Sequence, residues 1–301
     1  MTMNYFDDDS EPIRFFHLCT DGGSNGIVHT CDEDYRMAIR ISAIRSYFHG
    51  VTILCYCHMS THSHFVVCCR SREIAKTFIN GFKQDYGRYS YNAHRTLQTY
   101  LGIESDPIEI YDSFQLKRCI SYVLLNPVVP KIVMHPEEYR WSSFNAYFNA
   151  DRSTEGFRSV KSMTFREIRE IFHSHKDIRN SGIIVDCNRD IVMKSIVSYK
   201  LVEDLFGSRT EFYKSLAITD SIKEECKYHP QIVKFNDNEL LAEAIQLAQK
   251  KYGIKDIQFL THEQKLSLLL PLKRKTSSTS LRISKVLRLA PSEVGAYLLK
   301  K

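Results

Sequence analysis

No run of about 18 apolar residues occurs in the chain, so it offers no candidate for a membrane-spanning helix. Its first residues, Met1-Thr-Met-Asn-Tyr-Phe-Asp-Asp-Asp9, are acidic and hold no apolar signal region, and a cytoplasmic protein with no membrane partner is expected. No block of sequence repeats and no tract is of low complexity, which sets aside repeat architectures and compositionally biased linkers. The nine cysteines are odd in number and scattered, and they lack the paired C-x2-C knuckles of common zinc sites. They are expected as reduced thiols, mostly small core residues. Tryptophan occurs once, at Trp141, and is expected to pack in the core.

What is present suits a folded chain of about two domains. Hydrophobic residues make up 43% of the 301 positions and charged residues 25%, enough for a real core under an ordinary soluble surface. Charge is unevenly placed. Residues 1–150 hold 14 Lys/Arg against 16 Asp/Glu, whereas residues 151–301 hold 27 against 19. From Lys265 to Lys301 there are nine basic residues and one acid, Glu293. A basic segment of helical pattern points to a polyanionic partner, with a solvated basic face as the alternative.

Periodicity places the elements. Arg14–Cys19 reads as a short strand, and Glu33–His49 as a helix with Met37, Ile41, Ile44 and Phe48 on one stripe and Gly50 as its cap. Val51–Met59 and His62–Cys69 are β-branched and aromatic runs around a polar break at Ser60-Thr61, which makes them a hairpin. Arg72–Tyr91 is helical. A short extended piece is expected within 97–110, then a helix over Ser113–Leu125 that Asn126-Pro127 ends, because the residue before a proline avoids helical geometry. This order predicts an α+β fold, an antiparallel sheet covered by helices. Residues 150–162 read as a linker and Phe165–Phe172 as a short helix. Helices are also expected over Asn238–Tyr252, Glu263–Leu272 and Leu281–Leu289, with a last one opening at Pro291. The expected domains are 1–150, a helical linker or accessory region at 151–235, and a helical domain at 236–301.

Two motifs carry possible chemistry. In His62-Ser-His64, strand alternation puts both imidazoles on one face, where they can share a divalent cation. Alone, the pair is as compatible with two surface histidines. In Tyr122-Val-Leu-Leu-Asn126-Pro127, positions i and i+4 share a helix face, so a phenol and an amide oxygen can approach one point. A phenol, with a pKa of about 10, needs activation to act as a nucleophile at neutral pH. The alternative is a buried tyrosine beside a helix-ending asparagine. A zinc site from Cys55, Cys57, His58, Cys68 and Cys69 is a further alternative, although alternation turns His58 away from the two cysteines before it.

Met59-Ser-Thr-His62-Ser-His64-Phe-Val-Val, then Tyr122-x-x-x-Asn126-Pro-Val128, then Tyr139-Arg-Trp-Ser-Ser143, resemble in order and spacing the REP-associated tyrosine transposases of the HUH superfamily. The resemblance covers about residues 13–148. It implies a ferredoxin-like sheet domain, Mg²⁺ or Mn²⁺ on His62, His64 and Asn126, and Tyr122 as the nucleophile. It also implies single-stranded or hairpin DNA as partner, cut and rejoined through a 5′-phosphotyrosine, by a monomer or homodimer. The sequence departs from the family pattern in Ser60-Thr61 before the first histidine, in Ser63 between the two, and in Val129-Pro130 after Val128. These departures concern DNA contacts and spare the three chemical groups. A domesticated, non-cutting DNA-binding regulator is the alternative they leave open.

At the C-terminal end, Ser280–Leu289 reads as the first helix of a helix-turn-helix, Ala290–Ser292 as the turn and Glu293–Lys300 as the recognition helix, with a generic helical bundle as the alternative. Ile283, Val286, Leu287, Val294 and Leu298 would face its core. Lys273, Arg274, Lys275, Lys285 and Arg288 would meet phosphates.

Overall fold

A computed structural model describes residues 12–20, 27–95, 105–149, 154–225, 237–276 and 280–290, with 293, 294 and 297. Two compact units result, Met1–Lys227 and Tyr228–Lys301. The segment expected as an accessory region at 151–235 thus contributes, up to Lys227, to the first unit.

The first unit is built on β1 (Arg14–Cys19), α1 (Asp32–His49), β2 (Thr52–His58), β3 (Ser63–Cys69), α2 (Arg72–His94), β4 (Ile108–Ile110) and α3 (Ser113–Leu124). The strands form an antiparallel sheet in the order β2-β3-β1-β4. That order, with α1 crossing between β1 and β2 and with β3 inserted between them, is the split βαβ plan of a ferredoxin-like domain. The expected α+β class is observed.

Local chemistry sets the boundaries. Gly50 ends α1 at φ 61, where a side chain would be strained, and its N–H bonds the Ser46 carbonyl. Ser71 caps α2 by accepting from the Ile74 N–H, and Asp112 caps α3 by accepting from the Gln115 N–H. Helix α3 stops at Leu124, just ahead of Asn126-Pro127, as expected.

Alternation sorts the strand side chains between two covered faces. Phe16, Leu18, Tyr56, Phe65 and Val67 meet α1 and α2, with the Phe65 ring 5.5 Å from Phe78 and 5.2 Å from Phe82. Each fully buried ring of this cluster contributes about 1.5–3 kcal/mol of burial. His17, Cys19, Cys55, Cys57, His64 and Val66 share the other face, which α3 covers.

Beyond the sheet follow β5 (Arg158–Ser159), α4 (Phe165–Phe172), β6 (Ile184–Val185), α5 (Tyr199–Phe206) and α6 (Arg209–Glu225). Helix α4 matches its expected span and packs on α1, and α6 packs on α3. The outer edge of β2 is covered by two irregular segments. The His58 N–H donates to the Trp141 carbonyl, the Ser143 N–H to the Tyr56 carbonyl, and the Ser198 N–H to the Ile53 carbonyl. Trp141 departs from its expected place in the core. It is half-buried, stacked on Tyr35 at 4.8 Å with Arg140 over it at 4.7 Å, because the backbone at 141–143 pairs with a sheet edge.

The second unit holds α7 (Asp237–Tyr252), α8 (His262–Thr276) and α9 (Ser280–Leu287) around Leu240, Ala244, Leu268, Leu272, Ile283 and Leu287. Val294 is fully buried and Val286 partly so. Most of the expected recognition helix, including Leu298, lies outside the described residues, which record helix at 293, 294 and 297. No helix among the described residues is long and apolar enough to cross a membrane.

Candidate functional site

The site lies on the α3 face of the sheet, near one end of β1 and β3. Register brings His64 opposite Cys19 on one side and Cys57 on the other, so the three side chains stand together. His62 is not on the strand as expected. β3 begins at Ser63, and His62 closes the preceding turn, its carbonyl accepting from the Met59 N–H at 2.7 Å. The turn still sets the two imidazoles side by side, ring centres 4.7 Å apart and nearly perpendicular. Ser63 points to the opposite face, where its hydroxyl lies 2.8 Å from His58 Nδ1.

Tyr122, on α3, stands edge-on to His64 with ring centres 5.7 Å apart. Asn126 lies one helical turn later. Its Nδ2 donates to the carbonyls of Tyr122, at 3.1 Å, and Val123, at 3.2 Å. A side-chain hydrogen bond also links Asn126 to the Tyr122 phenol. The amide thus closes the helix and touches the phenol, as i and i+4 spacing allows.

Burial pushes the Tyr122 phenol above its ordinary range, and the Cys19, Cys119 and Cys57 thiols push the same way. The bond from Asn126 opposes them. The phenol is therefore held protonated, and nucleophilic use requires that its proton be removed or its phenolate be stabilised.

His17 was not singled out from sequence. It sits on β1, on the same face, its Nε2 3.1 Å from His64 Nδ1 and the two rings stacked at 5.3 Å. It also meets Tyr122 edge-on at 6.1 Å. It is buried, and its Nδ1 has no hydrogen-bond partner among the described residues. Desolvation lowers its pKa to about 4, so it stays neutral. The available signal was an imidazole at the centre of an apolar strand, on the alternation step shared with Phe15 and Cys19.

The alternative zinc set does not assemble. Cys55 and Cys57 face α3 and His58 faces α2, as alternation requires. Among the described residues, the group of three potential ligands that does converge is Cys31, Asp34 and His94, where α1 begins and α2 ends. Hydrogen bonding accounts for it. Asp34 accepts from the Thr30 N–H and hydroxyl, the Cys31 N–H and the Tyr89 hydroxyl, and its Oδ1 lies 2.7 Å from His94 Nε2. Burial pushes this carboxyl up, but the bonds outweigh it and hold it down to about 2.

Of the expected phosphate contacts, Lys273, Lys285 and Arg288 are exposed in the second unit. Arg274 and Lys275 belong to the helical backbone of α8, and their side chains lie outside the described residues.

No protein-family model and no curated protein matches the chain. Among solved structures, the chain is similar to a REP-associated tyrosine transposase bound to a REP hairpin. The identity is 12% and the TM-score 0.37, over 48% of this chain and 84% of that one.

Proposed function

We propose that the chain is a metal-dependent tyrosine endonuclease and strand transferase acting on single-stranded or hairpin DNA. The observation that carries this reading is that the Tyr122 ring stands 5.7 Å from that of His64, which is 4.7 Å from that of His62, with Asn126 one helical turn beyond Tyr122.

Two imidazoles, borderline nitrogen donors, and one hard carboxamide oxygen would hold a divalent cation, Mn²⁺ more readily than Mg²⁺. Thr61 Oγ1 lies 2.9 Å from His62 Nδ1, which makes Nε2 the ligand atom of that ring. His17 engages His64 Nδ1, which leaves Nε2, 4.0 Å from Cys19 Sγ, as the nitrogen that would face a cation. Asn126 uses its Nδ2 on backbone carbonyls and keeps Oδ1 as its ligand atom. A cation bound there supplies charge neutralisation at the scissile phosphate.

The remaining chemistry belongs to the side chains. Tyr122 Oη attacks phosphorus in line, and its proton passes by way of solvent to the 3′ oxygen. The bond from phosphorus to the 3′ oxygen breaks, and that oxygen leaves as a hydroxyl. The 5′ phosphate stays on Tyr122 as an ester, so another 3′-OH reverses the step without ATP. Basic residues of the second unit, Lys273, Arg274, Lys275, Lys285 and Arg288, add affinity through phosphate contacts and counterion release.

One observation favours a second reading, a DNA-binding regulator that does not cut: Tyr122 is partly buried against the core. An end-labelled hairpin oligonucleotide incubated with Mn²⁺ separates the two. Cutting by the wild type and none by Tyr122→Phe supports the enzyme; tight binding with no cutting by either supports the regulator.

A further inference from the structure

Two thiols flank His64 across the strand register, Cys57 on β2 and Cys19 on β1. Cys57 is fully buried, and its thiol is turned to Met59 Sδ at 3.7 Å. Cys19 is half-buried, and its Sγ lies 4.0 Å from His64 Nε2. That is the nitrogen left for a ligand, because His64 Nδ1 is 3.1 Å from His17 Nε2. The same thiol is one of the groups that act on the Tyr122 phenol, which places it inside the candidate site.

The spacing of the sulfur and the nitrogen fits a shared ion. A tetrahedral cation that holds a thiolate at about 2.3 Å and an imidazole at about 2.0 Å sets the two donor atoms about 3.5 Å apart. The observed 4.0 Å is a small side-chain adjustment from that. The His64 ring is itself fully buried, whereas Cys19 beside its Nε2 is partly exposed, so an ion that comes to this nitrogen meets the thiol. His62, half-buried at the hairpin turn, does not close tightly on the pair as placed, and its ring has to turn toward them to complete the set. A thiolate added to imidazoles changes which ion is preferred. Sulfur and nitrogen donors together select Zn²⁺ or Co²⁺ over Mn²⁺, and Mg²⁺ least.

We infer that Cys19 is a ligand to the cation of this site and sets its preference toward an ion with affinity for sulfur, Zn²⁺ or Co²⁺. The inference rests on the cation site proposed above and adds to it a donor from β1. On binding, the thiol passes its proton to solvent and the sulfur binds as thiolate.

The test titrates the full, reduced chain with Co²⁺ in the absence of oxygen. Equilibrium dialysis measures binding, and absorption spectroscopy reads the sulfur-to-Co²⁺ charge-transfer band in the near ultraviolet. Wild type should bind Co²⁺ and show the band, and His62→Ala and His64→Ala should weaken both. Cys19→Ser, a near-isosteric change at a half-buried position, should keep the melting temperature, lose the band and bind Co²⁺ at least about tenfold more weakly. Its Mn²⁺ affinity should change less, and Cys19→Ala should behave in the same way. Cys31→Ser controls for the other thiol that stands beside an imidazole, that of His94, and should retain the band. Co²⁺ bound through the histidines without the band, or a band that survives in both Cys19 variants, overturns the inference and leaves the cation site standing. No Co²⁺ binding that responds to His62→Ala or His64→Ala overturns the cation site and the inference with it.

Discussion

His17 Nε2 lies 3.1 Å from His64 Nδ1, and the two rings stack within 13° of parallel. The pair joins neighbouring strands and fixes which nitrogen of His64 faces the proposed cation. Loss of such a supporting partner typically costs about 10–100-fold in metal affinity or activity. His17→Ala should therefore raise the Mn²⁺ concentration needed for half-maximal cutting by that order. His17→Gln, which keeps a hydrogen-bonding group, should recover part of it. A Mn²⁺ requirement unchanged in His17→Ala would show that the contact is packing only.

The cap of α1 offers a test of the fold free of side-chain clashes. Gly50 adopts φ 61, and a Cβ added there meets nothing within 4 Å. Gly50→Ala should cost about 1 kcal/mol through backbone strain alone, and Gly50→Asn less, since asparagine tolerates this conformation. Urea midpoints of the three proteins check the order. Equal midpoints would contradict it.

Acid stability follows from two other buried histidines. Desolvation lowers His29 to about 4 and His58 well below its ordinary value. Each binds a proton in the unfolded chain near pH 6.5 and not in the folded one, so the unfolded state gains protons first as pH falls. Their contribution is complete above pH 6.5 and is lost progressively toward pH 4 and below. The Asp34 carboxyl, held to about 2, loses its contribution only at lower pH. Urea unfolding followed from pH 7 to pH 4.5 should show stability falling throughout. A flat profile would mean that these imidazoles are protonated when folded.

For the second unit, exposed Lys273, Lys285 and Arg288 predict a salt-dependent contribution to DNA binding. Replacing all three by alanine should reduce the slope of log affinity against log salt by about 0.7 per lost contact on single strands and about 0.9 on duplex. Fluorescence anisotropy at several salt concentrations measures it. A slope equal to the wild type would remove these residues from the interface.

Much of the first unit was legible in the sequence because its signals are local. Apolar periodicity in Glu33–His49, the β-branched hairpin and the Gly50 and Asn126-Pro127 stops depend on residues within a few positions of one another. The motif residues were legible for the same reason: Tyr122 and Asn126 share a helical turn. His17 was not legible. It lies 47 positions from His64, and strand register, a non-local property, brings them together. His62 moved from strand to turn because the Met59–His62 hydrogen bond closes the hairpin and ladder pairing starts one residue later, at His58 and Ser63. Trp141 left the core because pairing at the β2 edge fixed its backbone, which side-chain hydrophobicity does not reveal.

The central claim is that the Tyr122 phenol becomes covalently joined to DNA. Wild-type protein incubated with a hairpin oligonucleotide and Mn²⁺, digested, and analysed by mass spectrometry should yield a nucleotide-bearing peptide with the added mass on Tyr122. An adduct on any other residue, or cut DNA with unmodified Tyr122 at every time point, would contradict the account.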